Sequence, residues 1–209
     1  MTFADFTFPA VLRELGLTFA EAELFDGAPP ADIDGASADR IVRGAGLAAN
    51  IDTLKARTDF VVGPVLFELW RRSEFALFSG VLLDVDPARG LTGGTDFLLS
   101  GCTLPFFPKA PLLAAVVTDN DNPRSALGRC IATMAAAWEF NRRADQPAPA
   151  VYGVVTTGTL WQFARLTDRT ITVDLRTWCI HRSGDPARPA GDLPEILGIL
   201  SSIVRRPPA

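Results

Sequence analysis

The chain has 209 residues, of which 48% are hydrophobic and 21% are charged, and these proportions exclude a mostly disordered protein. Twenty lysines and arginines against 24 acids leave a net charge of −4, and no basic run exceeds two residues. Proteins that grip nucleic acid through its phosphates are usually basic. Tight nucleic-acid binding is therefore disfavoured, although a local basic cleft would permit it.

Cysteine and histidine are scarce. The three cysteines, Cys102, Cys130 and Cys179, form no CxxC pair, and His181 is the single histidine, so a zinc site is not expected. No basic-then-apolar segment opens the chain, and no apolar run approaches the roughly 20 residues that span a bilayer. We predict a cytoplasmic protein with reduced thiols and no membrane contact.

The first 40 residues are predicted to form an arm and a linker. Apolar residues recur at helical spacing in residues 1–25, with Pro9 near the start, and this pattern predicts a short helical arm. The acidic, Pro- and Gly-rich stretch Phe25–Asp39 predicts a linker. The main domain would then cover residues 41–209.

Helices and strands alternate in the rest of the chain. Residues 52–72 are helical in pattern, with a kink or a start at Pro64. Strand-like runs follow at 75–85, 95–100 and 111–118, with turn residues at 90–94 between the first two. The last of these runs is almost wholly apolar, as is typical of a central buried strand.

A further helix and a strand meander complete the pattern. Asn122 can cap a helix that has Pro123 at its first position and ends near Arg143. The remaining elements are predicted to be three antiparallel strands and a helix, at 151–156, 161–166, 170–175 and 194–204. This order predicts an α/β protein with a mixed β-sheet flanked by helices.

Six stretches carry a family resemblance that covers nearly the whole chain. They are FADFTFPAVL (3–12), KARTDFVVGPVLFEL (55–69), FSGVLLDVDPARGLTGGTDFLLS (78–100), APLLAAVVTDNDNPRSALGRCIATMAAAWEFN (110–141), VYGVVTTGTLWQFARL (151–166) and EILGILSSIV (195–204). In this order the chain resembles a bacterial family related to the PD-(D/E)XK, or restriction-endonuclease-like, nucleases. The resemblance implies a restriction-endonuclease-like core.

The resemblance also implies where a catalytic site would lie. In such nucleases an aspartate and a Glu-x-Lys pair on adjacent strands hold Mg²⁺, which polarises the scissile phosphate and its water. By resemblance, Glu68 matches a helix glutamate that adds a ligand, and Asp96 matches the motif aspartate. Val117 and Asp119 stand at the Glu-x-Lys positions. Arg129 stands at a position of the next helix that is often glutamine.

Two of these positions depart from a working nuclease site. Val117 has no oxygen to bind a metal, and Asp119 reverses the charge expected of the lysine. Each such group is typically worth roughly 3 kcal/mol or more of transition-state stabilisation. The sequence therefore predicts a degenerate site without a cofactor, and it favours an inactive protein over an enzyme.

Several interpretations of the remaining polar residues stay open. An arginine on a packed helix face needs a partner, so Arg129 is expected to pair with Asp96 or Asp119 in place of the metal. Alternatively, Arg129 takes over the role of the lysine, and Asp96 and Asp119 hold Mg²⁺ or Mn²⁺. A surface ion pair with Arg72, four residues on, explains Glu68 as well as a site role does. A loop or capping role explains Asp119 equally well.

The residues Val117 and Asp119 thus favour a non-cleaving protein that acts by binding or by assembly, as a homo-oligomer or with a protein partner. The apolar arm needs a surface to cover it, and that surface belongs either to the same chain or to a neighbour. The first alternative is a metal-dependent nuclease, a phosphodiesterase with a remodelled site at Asp96, Asp119, Glu68 and Arg129. The second is a small-ligand-binding protein that reuses the old cleft, lined by Val117 and tryptophans.

Overall fold

The computed structural model describes residues 1–103, 106–120, 122–185 and 188–205. Its strands are β1 (Thr18–Ala22), β2 (Ala76–Ser79), β3 (Leu82–Asp86), β4 (Leu91–Gly94), β5 (Phe97–Ser100), β6 (Leu112–Thr118), β7 (Val151–Thr156), β8 (Leu160–Thr167) and β9 (Thr170–Cys179). Its helices are α1 (Phe8–Leu15), α2 (Gly35–Ile51), α3 (Leu54–Arg57), α4 (Gly63–Trp70), α5 (Leu127–Arg143) and α6 (Leu193–Val204).

Seven of the strands form one mixed sheet, in the order β1-β9-β8-β7-β6-β5-β2, and β3 and β4 form a separate hairpin. β6 and β7 are parallel and are connected through α5, and β1 is parallel to β9. The other neighbouring strands are antiparallel. The predicted α/β architecture, a mixed sheet flanked by helices, is confirmed.

The two faces of the sheet carry different layers. On one face α2, α4 and α6 pack against side chains such as Phe97, Leu99 and Val116. On the other face α1, α5 and the β3–β4 hairpin pack against Leu98, Ala115 and their neighbours. Because side chains alternate along a strand, residues next to each other in β5 belong to opposite layers.

The strongly patterned elements lie where the sequence predicted them. β6 is the apolar central strand, and α5 ends at Arg143 as expected. The Asn122 side chain accepts the N–H of Arg124 and caps the turn that leads into α5. β7, β8 and β9 form the predicted antiparallel meander.

The prediction of a helix throughout residues 1–25 was wrong at its second half. α1 ends at Leu15 and is capped by Gly16, which has a φ of 63° in the left-handed region, and Thr18–Ala22 then forms the edge strand β1. The Arg169 guanidinium donates to the Gly16 carbonyl oxygen, and the Thr18 N–H donates to the Arg169 carbonyl oxygen. These contacts with a distant turn, and not the local spacing of Phe19, decide the structure here.

A long helix was missed: α2 begins at Gly35, inside the predicted linker Phe25–Asp39, and ends at Ile51, just before the predicted second helix. Asp34 caps α2 by accepting the N–H of Ser37, an interaction typically worth about 1 kcal/mol. Ile41, Val42, Ala45 and Ala48 face the core at helical spacing. The domain boundary expected near residue 40 falls inside this helix.

Pro64 does not end the helical stretch that contains it. A π-helical turn at Thr58–Val62 joins α3 to α4 just before it, and the Gly63 N–H donates to the Thr58 carbonyl five residues back. Proline has no N–H for the Phe60 carbonyl four residues earlier. The wider π turn thus lets the helical stretch continue past the proline. At this turn the Phe60 carbonyl packs against Gly44 of α2.

The single strand predicted at 75–85 is two strands. Gly80, with a φ of 66°, separates β2 from β3, and the expected turn at 90–94 contributes the whole of β4. None of the helices in the described part of the chain combines the length and the apolar content that a membrane span requires.

Candidate functional site

Asp96 lies one residue before β5, beside the end of β6. Its Oδ2 accepts the backbone N–H of Thr118 over 2.7 Å. If the β5–β6 register continued, Thr95 would lie opposite Thr118, but the N–H and the hydroxyl of Thr95 both donate to the Val81 carbonyl. The carboxylate therefore satisfies a backbone donor that the strand ladder leaves open.

Arg129 reaches the same point from the first turn of α5. Its Nη2 donates to the Thr118 carbonyl over 2.8 Å and lies 3.4 Å from Asp96 Oδ2. The side chains of Arg129 and Asp96 are 28% and 25% exposed, so water reaches the pair without surrounding it. The pairing with Asp96 that the sequence analysis expected is present.

Val117 and Asp119 flank Thr118 but have different structural roles. The Val117 side chain is only 3% exposed and belongs to the core layer that includes α5. The Asp119 backbone N–H donates to the Thr156 carbonyl over 2.8 Å and extends the parallel pairing of β6 with β7. The structure thus brings positions 96, 117, 119 and 129 to one end of β6, but Val117 presents no open surface to a ligand.

This arrangement does not fit the Mg²⁺ ion that the family resemblance implies. Mg²⁺ needs several oxygen ligands, whereas Val117 offers none, and Asp96 Oδ2 already faces a backbone N–H and a guanidinium. Within residues 1–103, 106–120, 122–185 and 188–205, no three Cys, His, Asp or Glu side chains form a group that could hold a metal ion. The absence of a cofactor stays a prediction.

Glu68 lies away from this cluster. It projects from α4, which packs on the opposite face of the sheet from α5. Its carboxylate is nearly buried and accepts hydrogen bonds from Arg71 over 3.1 Å and from Arg72 over 2.9 Å. Burial would raise the pKa of Glu68, but the hydrogen bonds from the two arginines outweigh it, and the pKa is lowered. The pairing of Glu68 with Arg72 is present as expected, but Glu68 is buried, so this is not the surface ion pair that the sequence suggested.

A cavity of about 620 Å³ opens beside Glu68, between the first turns of α2 and the length of α4. Its walls are Asp34, Ser37, Arg40, Ile41, Gly63, Pro64, Phe67, Glu68 and Arg71. The sequence analysis did not find this cavity, because it did not predict α2. The signals were nevertheless present, in the cap at Asp34 and in the helical spacing of the apolar residues from Ile41 to Ala48.

The cysteines do not resemble activated nucleophiles. Burial raises the pKa of the Cys130 thiol to about 12, so it stays protonated at neutral pH. Burial also raises the pKa of Cys179. Cys130 belongs to the core, since it is fully buried against β7.

Comparison with known proteins adds no family to this geometry. No protein-family model, no curated protein and no solved structure matches the chain significantly, so the interpretation of these sites depends on their own chemistry.

Proposed function

We propose that the chain is a non-cleaving relative of restriction-endonuclease-like nucleases and that it acts by binding or by assembly. The observation that carries this proposal is the pair of contacts made by one carboxylate oxygen of Asp96. Asp96 Oδ2 joins the Thr118 N–H to the Arg129 guanidinium, where the resemblance expects a metal ion. The Asp96 carboxylate therefore binds the backbone of β6, and the Arg129 guanidinium takes the place of a metal cation beside it.

Electrostatics supports the proposal. A divalent ion on Asp96 within about 4 Å of the Arg129 charge would be repelled by roughly 8 kcal/mol at an effective dielectric of about 20. Binding would therefore require the guanidinium to move, and the Thr118 carbonyl would lose its hydrogen bond from Arg129. Asp96 directly precedes β5 and lies beside the end of β6, the strand paired with β5, and this position is consistent with the proposed origin of the fold.

A cleavage assay with matched variants tests the proposal. The purified chain is incubated with single- and double-stranded DNA and RNA in Mg²⁺ or Mn²⁺, beside Asp96→Ala and Asp84→Ala. Asp84 is an exposed acid on β3 and controls for the loss of one negative charge. We expect all three proteins to show the same background.

The remodelled nuclease gives a different result. Strand scission by the wild type and by Asp84→Ala, lost in Asp96→Ala and dependent on the divalent ion, would refute the non-cleaving interpretation.

A further inference from the structure

The cavity between α2 and α4 has the size and the lining of a small-molecule site. Its volume of about 620 Å³ lies within the range of roughly 300–1,000 Å³ that is usual for such sites. Ile41, Pro64 and Phe67 supply an apolar wall, and Arg40, Arg71 and Ser37 supply polar groups. A largely apolar cavity with a few convergent polar groups is the general form of a ligand-binding site.

The apolar wall continues into an exposed aromatic pair. The Phe67 and Trp70 rings stack with their centroids 5.7 Å apart and an interplanar angle of 24°. The two residues are 56% and 42% exposed, so their position on α4 is not explained by burial in the core. A stacked pair of rings at the edge of a cavity offers a flat surface to an aromatic or branched apolar group.

One arginine of the cavity wall, Arg40, has no carboxylate partner among the described residues. Arg71 and Arg72 both hold Glu68, and Asp34 is occupied in capping α2 through the Ser37 N–H. Arg40 donates to the Ser37 hydroxyl over 3.0 Å, and no carboxylate of the described residues lies within ion-pair distance of it. Arg72 lies outside the lining, so the cavity walls hold two arginines and two acids, and Arg40 is the lining arginine that no described carboxylate pairs with.

The backbone beside the cavity is irregular. Gly63 and Pro64, which line the cavity, directly follow the π-helical turn Thr58–Val62. Single π turns inside helices occur frequently at functional sites, because the extra residue shifts the side chains that follow. Here the π turn positions the start of α4 next to α2, and it thereby positions Phe67 and Glu68.

We propose that this cavity binds a small organic monoanion, namely a carboxylate with an aromatic or branched apolar body. The Arg40 guanidinium binds the carboxylate, and the body packs on Ile41, Pro64 and the Phe67 ring. One guanidinium without a carboxylate partner suits a single carboxylate better than a polyphosphate chain, which needs several basic residues. This inference extends the proposed binding role, and it is independent of the Asp96 cluster.

Three matched compounds test the charge preference. Phenylbutyrate, phenylbutanol and phenylbutylamine share an apolar body and differ in the head group. Each is titrated into the full chain, and binding is followed by ligand-observed NMR and by calorimetry. We expect phenylbutyrate to bind at least about tenfold more tightly than phenylbutanol, since a hydrogen bond to a charged group contributes that much. We expect the amine to bind most weakly.

Three variants locate the site. Arg40→Gln should abolish the preference for the acid over the alcohol, and Phe67→Ala should weaken all three compounds. Arg43→Gln is the matched control, because Arg43 lies one turn along the same helix, is exposed and pairs with Asp39. It should bind like the wild type.

Two outcomes would overturn the inference. One is the absence of saturable phenylbutyrate binding up to millimolar concentration. The other is an acid preference that persists in Arg40→Gln or disappears equally in Arg43→Gln. Neither outcome touches the cleavage assay, because Arg40 lies on the opposite face of the sheet from Asp96. Failure here and failure of the non-cleaving proposal are therefore distinguishable.

Discussion

Asp96 stands where the backbone of β5 no longer pairs with β6, and its side chain takes over that pairing. The carboxylate accepts the Thr118 N–H, and Arg129 bridges the carboxylate to the Thr118 carbonyl. The backbone N–H of Thr118 thus depends on the Asp96 side chain, and the backbone carbonyl of Thr118 depends on the Arg129 side chain. The sequence pointed to the partner of Arg129, because a strand carboxylate and a helix guanidinium both needed one.

The contribution of this cluster can be measured by unfolding. Asp96→Ala leaves the Thr118 N–H without its acceptor, and we expect a loss of about 1–3 kcal/mol in the free energy of unfolding. The ion pair alone is partly exposed, so a cycle of Asp96→Asn with Arg129→Gln should give a coupling of about 1 kcal/mol or less. Urea denaturation measures both. An unchanged unfolding midpoint in Asp96→Ala would contradict the structural role.

The pair formed by α2 and the α3–α4 helix depends on a close approach of backbones. At Gly44 a methyl group would overlap the Phe60 carbonyl oxygen, which Pro64 leaves without its usual helical donor. A small residue on α2 and a proline on α4 therefore act together. The sequence indicated the proline but gave no sign of its partner, because the contact joins two helices.

Two glycines of α2 provide a matched test of this contact. Gly44→Ala should destabilise the fold by about 2 kcal/mol or more, because the Phe60 backbone must shift. Gly46→Ala meets no atom within 4 Å and should stabilise the helix by up to about 1 kcal/mol. Thermal unfolding of both variants measures the difference. Equal effects at the two positions would refute the close approach.

At the scale of the whole molecule, the N-terminal segment is part of the core. Phe3 and Phe6 are almost fully buried with α5 and the β3–β4 hairpin, and Val11 and Leu15 are buried in the same layer. The buried side chains of the apolar arm are therefore covered by their own chain, one of the two possibilities that the sequence left open, so they give no support for oligomerisation. Assembly with itself or with another protein stays a prediction without that support.

Truncating one phenylalanine tests this integration. Phe3→Ala should cost about 3–5 kcal/mol, as is typical of a buried aromatic residue, whereas Phe19→Ala, at 43% exposure on the edge strand β1, should cost about 1 kcal/mol or less. Denaturant unfolding of both variants gives the comparison. A small effect at Phe3 would mean that the segment docks only weakly.

The sequence by itself determined the elements whose periodicity and end signals agree. β6 is continuously apolar, α5 has a cap at Asn122 with Pro123 behind it, and the β7–β9 meander is separated by turn residues. Only the tertiary structure decided that residues 18–22 join the sheet edge and that Glu68 lies on the opposite face from Arg129. Local patterns fix the repeat along the chain, but the layer that a helix joins depends on contacts between residues far apart in sequence.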